Sequence, residues 1–331
     1  MSFQNVDRRD FIKTALAGLV LGADLLAAQE PGPEGIPVRP LGNTGEKVSI
    51  IGIGGWDIAA VPDKDEAISL MHEAIDLGVT FFDNCWEYQQ GGSETLMGKA
   101  LSTENRRDKV FLMTKVCARD YNGAKQQLED SLRRLQTDHL DLWQFHGIKW
   151  DDDPDLIFDP EQGAIAAALE AREAGKIRYI GFSGHKHPNY HLRMLEKPFQ
   201  WDTVQMPVNV LDAHYHSFQK QVLPVAVDQG VSVLGMKGLA AQNGIIVRRL
   251  GLSAEQARRY SLSLPISTLI CGIQSQYNLH QDVNIARNFK PMTEEEIQKI
   301  YSVVKEDALD GRLEQYKIGN YGCDWHHENR M

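Results

Sequence analysis

Short apolar segments alternate with longer amphipathic segments along most of the chain. The apolar segments are rich in Val, Ile, Leu and Phe, which is typical of strands buried on both faces of a parallel sheet. They cover residues 49–53, 79–83, 110–116, 140–145, 177–182, 203–206, 231–236 and 268–270. Between them, apolar residues recur at helical spacing in residues 65–77, 93–101, 124–135, 161–174, 188–195, 218–229, 253–264 and 277–288.

Eight predicted strands that alternate with eight predicted helices indicate an α/β chain folded as a (β/α)8 TIM barrel. Gly78, Gly175 and Gly230 follow three of the helical segments, where glycine commonly ends a helix. A doubly wound sheet is the alternative, and a G-x-G-x-x-G turn after the first strand would favour it. Residues 52–57 read GIGGWD, which lacks the third glycine and is not followed directly by a helical segment, so we favour the barrel.

The segments that flank the barrel differ from it in composition. Two short extended pieces with Asn43 and Gly45 between them predict an N-terminal hairpin over residues 38–49. A C-terminal helix is expected from residue 293 to about residue 309. We therefore divide this part of the chain into a Pro- and Gly-rich linker of residues 29–37, a barrel domain of residues 38–312 and a polar tail of residues 313–331.

The N-terminus carries a targeting pattern. Arg8 and Arg9 precede a modestly apolar run, residues 15–28, which is too short to span a membrane as a stable helix. The pattern predicts a twin-arginine signal peptide over residues 1–28. We therefore expect an exported, periplasmic or extracytoplasmic protein that uses the twin-arginine export machinery and keeps no stable membrane span after processing. An amphipathic helix that merely contains two arginines is the alternative.

Composition narrows the possible partners. The chain has 331 residues, of which 42% are hydrophobic and 24% charged, as in an ordinary globular protein. Its net charge of −10 argues against a nucleic-acid partner.

The cysteines are far apart and form no C-x-x-C pair, so we expect neither a disulfide framework nor a thiolate metal site. They are Cys85, Cys117, Cys271 and Cys323.

Residues suited to proton transfer lie at the ends of three successive predicted strands. Asp83 closes the second strand, and Tyr88 follows it in the loop. Lys115 lies near the end of the third strand, and His146 directly follows the fourth. Each residue alone is more often structural than catalytic. Because the C-terminal ends of barrel strands converge on one mouth, the four together predict an active site.

The segments that carry these residues resemble the aldo-keto reductases. The motifs FFDNCWEYQQGGSETLMGKAL, FLMTKV, HLDLWQFH and ICGIQSQYNL occur in that family's order and at near-family spacing. The resemblance implies an (α/β)8 barrel, an NAD(P)H-dependent reduction of a carbonyl and no metal. It also implies that Asp83, Tyr88, Lys115 and His146 form the family's catalytic tetrad. We expect Lys115, held by Asp83, to lower the pKa of Tyr88, and His146 to donate to the carbonyl oxygen.

The same resemblance assigns residues to the cofactor site. Ser183 and Gln205 are expected at the nicotinamide amide, with Gly184 where the family has an Asn. Gln274 stands where the family usually has Arg or Lys for the 2′-phosphate, which weakens a preference for NADP(H). The family's habit still favours NADP(H), and NAD(H) is possible. The expected cofactor-binding residues are Gly55, Trp56, Ser183, Gln205, Met236, Lys237, Gly272, Gln274, Ser275 and Asn278.

Two alternative functions remain. His185 and His187 follow the fifth predicted strand, and His214 and His216 follow the sixth, so a metal-dependent isomerase or hydrolase could use these loop histidines. The other alternative is a redox-inactive sensor that keeps the barrel and the cofactor. We favour the oxidoreductase, with a small-molecule carbonyl or sugar as its substrate.

Overall fold

Eight parallel strands close into a barrel in the computed structural model, which describes residue 25, residues 28–241, residues 244–319 and residue 321. The barrel strands follow one another in chain order, and the last pairs with the first. They are β4 (Ile51–Gly54), β5 (Phe81–Asp83), β6 (Phe111–Val116), β7 (Leu140–Phe145), β8 (Ile177–Ser183), β9 (Thr203–Pro207), β10 (Ser232–Met236) and β11 (Thr268–Cys271). A small antiparallel sheet precedes them, made of β1 (Glu30–Pro31), β2 (Pro37–Pro40) and β3 (Lys47–Ser49).

Helices follow the barrel strands and cover the outside of the sheet. The first eight are α1 (Gly55–Ile58), α2 (Lys64–Asp76), α3 (Gly92–Leu101), α4 (Tyr121–Leu135), α5 (Asp153–Ile157), α6 (Ala164–Glu173), α7 (Pro188–Leu195) and α8 (Phe218–Gln221). The others are α9 (Leu223–Asp228), α10 (Ile245–Leu250), α11 (Ala254–Leu262), α12 (Gln276–Arg287), α13 (Glu294–Val304) and α14 (Gln315–Ile318). The apolar faces of the longer helices and the outward side chains of the strands form the main core.

The predicted barrel and its N-terminal hairpin are confirmed, and each predicted strand overlaps an observed one. The predicted helix 218–229 is split into α8 and α9, because Pro224 lies in the first turn of α9 and has no N–H to continue the preceding helix. A short helix, α1, does follow β4 directly, contrary to our expectation. The predicted last helix ends earlier, at Val304.

The hairpin of β2 and β3 closes the N-terminal end of the barrel. Leu41 and Val48 are buried against apolar side chains inside the barrel, among them Phe81 and Met113. Arg39 is also buried there and donates to the carbonyl oxygens of Leu262 and Ile266, which precede the last barrel strand. The barrel is therefore a packed core at this end, and its mouth lies at the other end.

The segments expected to be a linker and a tail both pack against the rest of the protein. Within residues 29–37, β1 pairs with β2 and Ile36 is fully buried. Within the expected tail, Leu313 and Lys317 are buried. The predicted signal peptide and the end of the tail fall almost wholly outside the described residues, so their assignments stay predictions.

Across the part of the chain that the structure describes, every helix falls short of the length and hydrophobicity needed to cross a membrane.

Gly98 provides a test of how closely α3 and α4 pack. A Cβ at Gly98 would lie 2.2 Å from the carbonyl oxygen of Arg134, whereas a Cβ at Gly92 of the same helix would meet nothing closer than 3.5 Å. We expect Gly98→Ala to lower the free energy of unfolding by roughly 1–3 kcal/mol, because backbone atoms must move. Gly92→Ala is the matched control and should be neutral or stabilising by up to about 1 kcal/mol. Denaturant unfolding of both variants measures the difference, and equal stabilities would contradict the packing.

Candidate active site

The four residues predicted for the active site lie together at the C-terminal ends of the strands. Asp83 ends β5, Lys115 lies in β6, and His146 directly follows β7. Tyr88 begins a 3-10 turn, Tyr88–Gly91, between β5 and α3. The Lys115 ammonium lies 5.2 Å from the centre of the Tyr88 ring, and the Tyr88 and His146 rings meet edge to face with centres 5.7 Å apart.

A buried ion pair joins Lys115 to Asp83. Their side chains are only 1% and 5% exposed, and Lys115 Nζ donates to Asp83 Oδ1. Lys115 Nζ also donates to the carbonyl oxygen of Asn84 at 2.8 Å, and Gln205 Nε2 donates to Asp83 Oδ1 at 3.4 Å. The extra hydrogen bonds satisfy both charges where water is largely excluded.

The pKa of Tyr88 departs from the expectation. Burial raises the pKa of the phenol well above its ordinary value, and the carboxylate of Asp83 adds to the effect. Lys115 lies over the face of the ring, and it does not offset these effects. The net shift in the pKa of Tyr88 is therefore opposite to the lowering that we expected. Tyr88 stays protonated and able to donate a proton over the whole neutral range.

His146 is held by Glu87, a residue that the sequence analysis missed. His146 Nδ1 lies 3.0 Å from Glu87 Oε1 and 3.2 Å from Cys85 Sγ. Burial lowers the pKa of His146, although the carboxylate of Glu87 opposes this shift. Burial alone would raise the pKa of Glu87, but the hydrogen bond from His146, together with nearby positive charges, outweighs that effect, and the pKa of Glu87 is lowered. A neutral imidazole beside an ionised carboxylate carries its proton on Nδ1, which leaves Nε2 as an acceptor. This differs from the predicted donor role. The signal for Glu87 was an acid directly before the predicted Tyr.

Two predicted nicotinamide contacts carry unsatisfied polar atoms. Ser183 Oγ and Gln205 Oε1 are buried, and neither has a hydrogen-bond partner among the described residues. A carboxamide group could satisfy both, so they fit the cofactor that the resemblance implies. A Cβ at Gly184 would lie 2.7 Å from the carbonyl oxygen of Ile148. The family's Asn therefore has no room in this backbone.

Gly55 and Trp56 form another side of the mouth. A Cβ at Gly55 would lie 2.7 Å from the carbonyl oxygen of Asp83, so only glycine permits this approach. Trp56 is 56% exposed and meets the Tyr88 ring edge to face, with centres 5.3 Å apart. Its exposed indole offers an apolar surface beside the predicted acid.

Met236 is the last residue of β10, and Lys237 directly follows the strand. Lys237 has a positive φ of 57°, and its ammonium lies 5.1 Å from the centre of the Tyr316 ring. Burial lowers the pKa of Lys237 to about 8, although the carboxylates of Asp57 and Asp83 oppose the shift. A cation thus faces the mouth, where an anionic group could bind.

The loop after β11 approaches Asp57, which the sequence analysis did not single out as a site residue. Gln274 Nε2 donates to Asp57 Oδ1 at 3.2 Å, and a Cβ at Gly272 would lie 2.6 Å from Asp57 Oδ2. Ser275 caps α12 by accepting from the backbone N–H of Asn278. Three of the predicted cofactor residues thus lie at the start of one helix, where backbone N–H groups can bind anions. A carboxylate lies beside them.

A C-terminal segment, residues 313–319, packs over the same end of the barrel. Lys317 is buried and pairs with Asp212 at 2.7 Å and Glu314 at 2.9 Å. Tyr316 lies between Lys237 and His185, with its ring centre 5.6 Å from that of His185. The polar residues of this segment predicted a tail outside the barrel domain. The segment packs against the barrel because its charged side chains form buried ion pairs there.

The loop histidines have structural contacts. His185 Nδ1 lies 3.3 Å from the carbonyl oxygen of Tyr316, His187 caps α7, and His214 packs against Tyr301. The His187 and His216 rings lie 4.3 Å apart. Within the described ranges, the one group of three or more side chains arranged to hold a metal is elsewhere, and none of these histidines belongs to it. The geometry therefore gives no support to a metal enzyme built on them.

The cysteines differ from the expectation. Cys117 is disulfide-bonded, whereas Cys85 and Cys271 are free and buried. We expected no disulfide framework, and the disulfide of Cys117 was not predicted, because spacing along the sequence does not report which sulfurs meet in the fold.

Known proteins are similar to this chain in sequence and in fold. The family model described as "Aldo/keto reductase family" matches residues 50–248. Aldo-keto reductase YhdN of Bacillus subtilis (strain 168) is 33% identical over 208 residues, which are 59% of this chain and 59% of that protein. Uncharacterized oxidoreductase YqkF of the same strain is 27% identical over 315 residues, 81% of this chain and 97% of that protein. The chain thus spans less than two thirds of YhdN but nearly all of YqkF.

A solved structure supports the same assignment. The holo form of aldo-keto reductase AKR11C1 from Bacillus halodurans matches with a TM-score of 0.67 and 27% identity, over 87% of this chain and 98% of that one. Since the family model also covers more than half of the chain, this protein belongs to the aldo/keto reductase family, a family of oxidoreductases.

Proposed function

We propose that this protein interconverts a small-molecule carbonyl compound (an aldehyde, a ketone or a sugar) and the corresponding alcohol, using NAD(P)H. One observation carries the proposal. The buried Lys115–Asp83 ion pair lies against the ring of Tyr88, and His146 lies on another side of that ring. Family membership supports the reaction class.

The bound nicotinamide would supply or accept the hydride, and the side chains of this chain would handle the proton. Tyr88 would act as the general acid in reduction, because its phenol stays protonated and its ring lies beside the buried ammonium of Lys115. Lys115 would keep a positive charge near the oxygen that becomes negative. His146 Nε2 would orient the substrate hydroxyl by accepting its hydrogen bond, since Nδ1 faces Glu87.

Residues on several strand ends would hold the cofactor. Ser183 and Gln205 offer the unsatisfied polar atoms for a carboxamide. Lys237 offers a cation for the pyrophosphate, and the start of α12 at Ser275 offers backbone N–H groups for a phosphate.

The nucleotide preference rests on Gln274. A dianionic 2′-phosphate binds best to Arg or Lys, and Gln274 instead donates to the carboxylate of Asp57. The family's habit favours NADP(H), whereas this pair favours the uncharged 2′-hydroxyl of NAD(H). We therefore propose that NAD(H) binds at least as tightly as NADP(H).

The role of Tyr88 can be tested by removing its hydroxyl group. We expect Tyr88→Phe to lower kcat for carbonyl reduction by about 10²–10⁴-fold, because the general acid is lost. Nucleotide binding, followed by NADH or NADPH fluorescence, should change little. Tyr179→Phe is the matched control, because its hydroxyl donates to the carbonyl oxygen of Thr44 in the loop between β2 and β3. Near-normal turnover of Tyr88→Phe, or no turnover by the wild type on a broad carbonyl and sugar panel, would contradict the proposal.

The pH dependence of reduction follows from the raised pKa of Tyr88. A general acid must be protonated, and a raised pKa keeps it protonated to higher pH. We expect kcat for reduction to stay level up to about pH 10, the ordinary pKa of a phenol, and to fall only above it. Steady-state rates across the pH range measure this, with circular dichroism confirming that the fold persists. A decline complete by about pH 9 would show that Lys115 lowers the pKa after all.

We also propose that the protein is exported in folded form with its nucleotide bound. The twin arginines at Arg8 and Arg9 support the route. Loading before export would suit a compartment where free nicotinamide nucleotides are scarce.

Fractionation of a bacterial host tests this proposal. We expect the wild type in the periplasm, carrying about one nucleotide per chain, because folding and loading would precede export. The double variant Arg8→Lys with Arg9→Lys should remain in the cytoplasm, whereas Lys13→Arg, which keeps the charge and spares the pair, should be exported. Chromatography of the released nucleotide identifies it. A periplasmic double variant, a periplasmic wild type without nucleotide, or NADP(H) as the sole nucleotide would each contradict one part of the proposal.

A further inference from the structure

Four metal-ligating side chains meet beside Tyr88, and the proposed reaction uses only one of them. They are Cys85, Glu87, Cys117 and His146, and their ligand atoms all lie within 4.8 Å of one another. Cys85 and Cys117 are buried and pack against Trp86 and Tyr88. We call these four residues the Cys–His cluster.

The spacing in the Cys–His cluster is close to that of a tetrahedral metal site. Zinc bonds of about 2.0–2.3 Å to sulfur, nitrogen and oxygen place ligand atoms roughly 3.3–3.8 Å apart. His146 Nδ1 lies 3.0 Å from Glu87 Oε1, 3.2 Å from Cys85 Sγ and 3.9 Å from Cys117 Sγ. Shifts of at most about an ångström would therefore bring all four ligand atoms, which lie within 4.8 Å of one another, to bonding positions.

The charges nearby permit a cation. Lys115 is paired with Asp83, and Arg119 with Asp153 at 2.8 Å, so two of the neighbouring cations are largely neutralised. Sulfur, imidazole nitrogen and carboxylate oxygen form the donor set that zinc and similar thiophilic ions prefer.

We propose that the Cys–His cluster binds a thiophilic divalent cation of the zinc class through Cys85, Glu87 and His146, and that Cys117 adds a second thiolate when its disulfide is opened. With the disulfide intact, three protein ligands leave one position for water. This binding does not depend on the proposed reaction.

Opening the disulfide requires a reductant, and a dithiol can supply it. The dithiol gives two electrons and two protons to the sulfur–sulfur bond and leaves as its own disulfide, so that Cys117 becomes a thiol. The metal then displaces the proton of Cys117, as it does that of Cys85, and both protons leave to solvent. The second thiolate adds a fourth protein ligand and so increases the affinity for the metal.

Binding at Nδ1 fixes the state of His146. A metal and a proton cannot share Nδ1, so the proton of the neutral imidazole moves to Nε2. With the metal bound, Nε2 of His146 becomes a hydrogen-bond donor towards the mouth. Without the metal, Glu87 holds the proton on Nδ1, and Nε2 is an acceptor. The Cys–His cluster thereby couples metal and thiol conditions to the oxidoreductase site.

Titration of the purified full chain with Co²⁺ and Zn²⁺ tests the site. We expect one equivalent of Co²⁺ to give a thiolate-to-cobalt charge-transfer band that Zn²⁺ removes, and prior treatment with a dithiol, followed by its removal, to tighten binding at least tenfold. Cys85→Ser should lose the band in the untreated protein, and Glu87→Gln should weaken binding at least tenfold. Cys271→Ser is the matched control, because Cys271 is also free and buried but lies in β11, and it should bind like the wild type.

The result that overturns the proposal is a wild type with no stoichiometric band, or Cys85→Ser that keeps it. Loss of the band in Cys271→Ser would also overturn it. Circular dichroism shows whether each variant is folded, and Glu87→Gln provides an independent test if Cys85→Ser is not. Because the titration involves no turnover, its outcome is separate from that of the reductase assays.

Discussion

The ion pair between Lys115 and Asp83 is the constraint on which the mouth of this barrel depends. An ammonium buried to this degree costs several kcal/mol unless a carboxylate and further hydrogen bonds compensate it. Asp83, the carbonyl oxygen of Asn84 and the amide of Gln205 provide that compensation from β5, the following loop and β9. The pair therefore fixes strand ends on both sides of the barrel, and Tyr88 packs against a cation that cannot move away.

The strand ends were predictable because a parallel barrel leaves little freedom. In a parallel barrel the C-terminal ends of all strands lie at the mouth, so Asp83, Lys115 and His146, each at or next to the end of a predicted strand, had to converge. Ser183 and Gln205 were expected at the cofactor site because of the resemblance to the aldo-keto reductases, and they lie at the end of β8 and within β9. Their unsatisfied atoms were not predictable, since these depend on which neighbours reach them.

The sequence alone could not predict the pKa values of buried groups or the directions that the loops take. The pKa of Tyr88 depends on burial against charge, and the sequence shows the charge but not the burial. Glu87 reaches His146 from an irregular loop in which Gln89 and Gln90 take left-handed backbone angles, with φ of 47° and 56°. Residues 313–319 pack over the mouth because Lys317 finds Asp212, a contact across 105 positions of the chain. His146 consequently serves two environments, with one nitrogen towards the substrate and the other towards thiol and carboxylate.

The pairing of β4 with β11 also governs when the protein can fold. Ile51, near the start of the barrel, lies beside Leu269, so the barrel cannot close during synthesis until β11 has been made. The buried Arg39 reinforces this order, because its partners Leu262 and Ile266 are synthesised more than two hundred residues later. Until then, the edge of β4 that pairs with β11 has no partner strand in the barrel. A small molecule or ion that needs the closed mouth is therefore acquired only after β11 has been made, and assembly and loading become one late event.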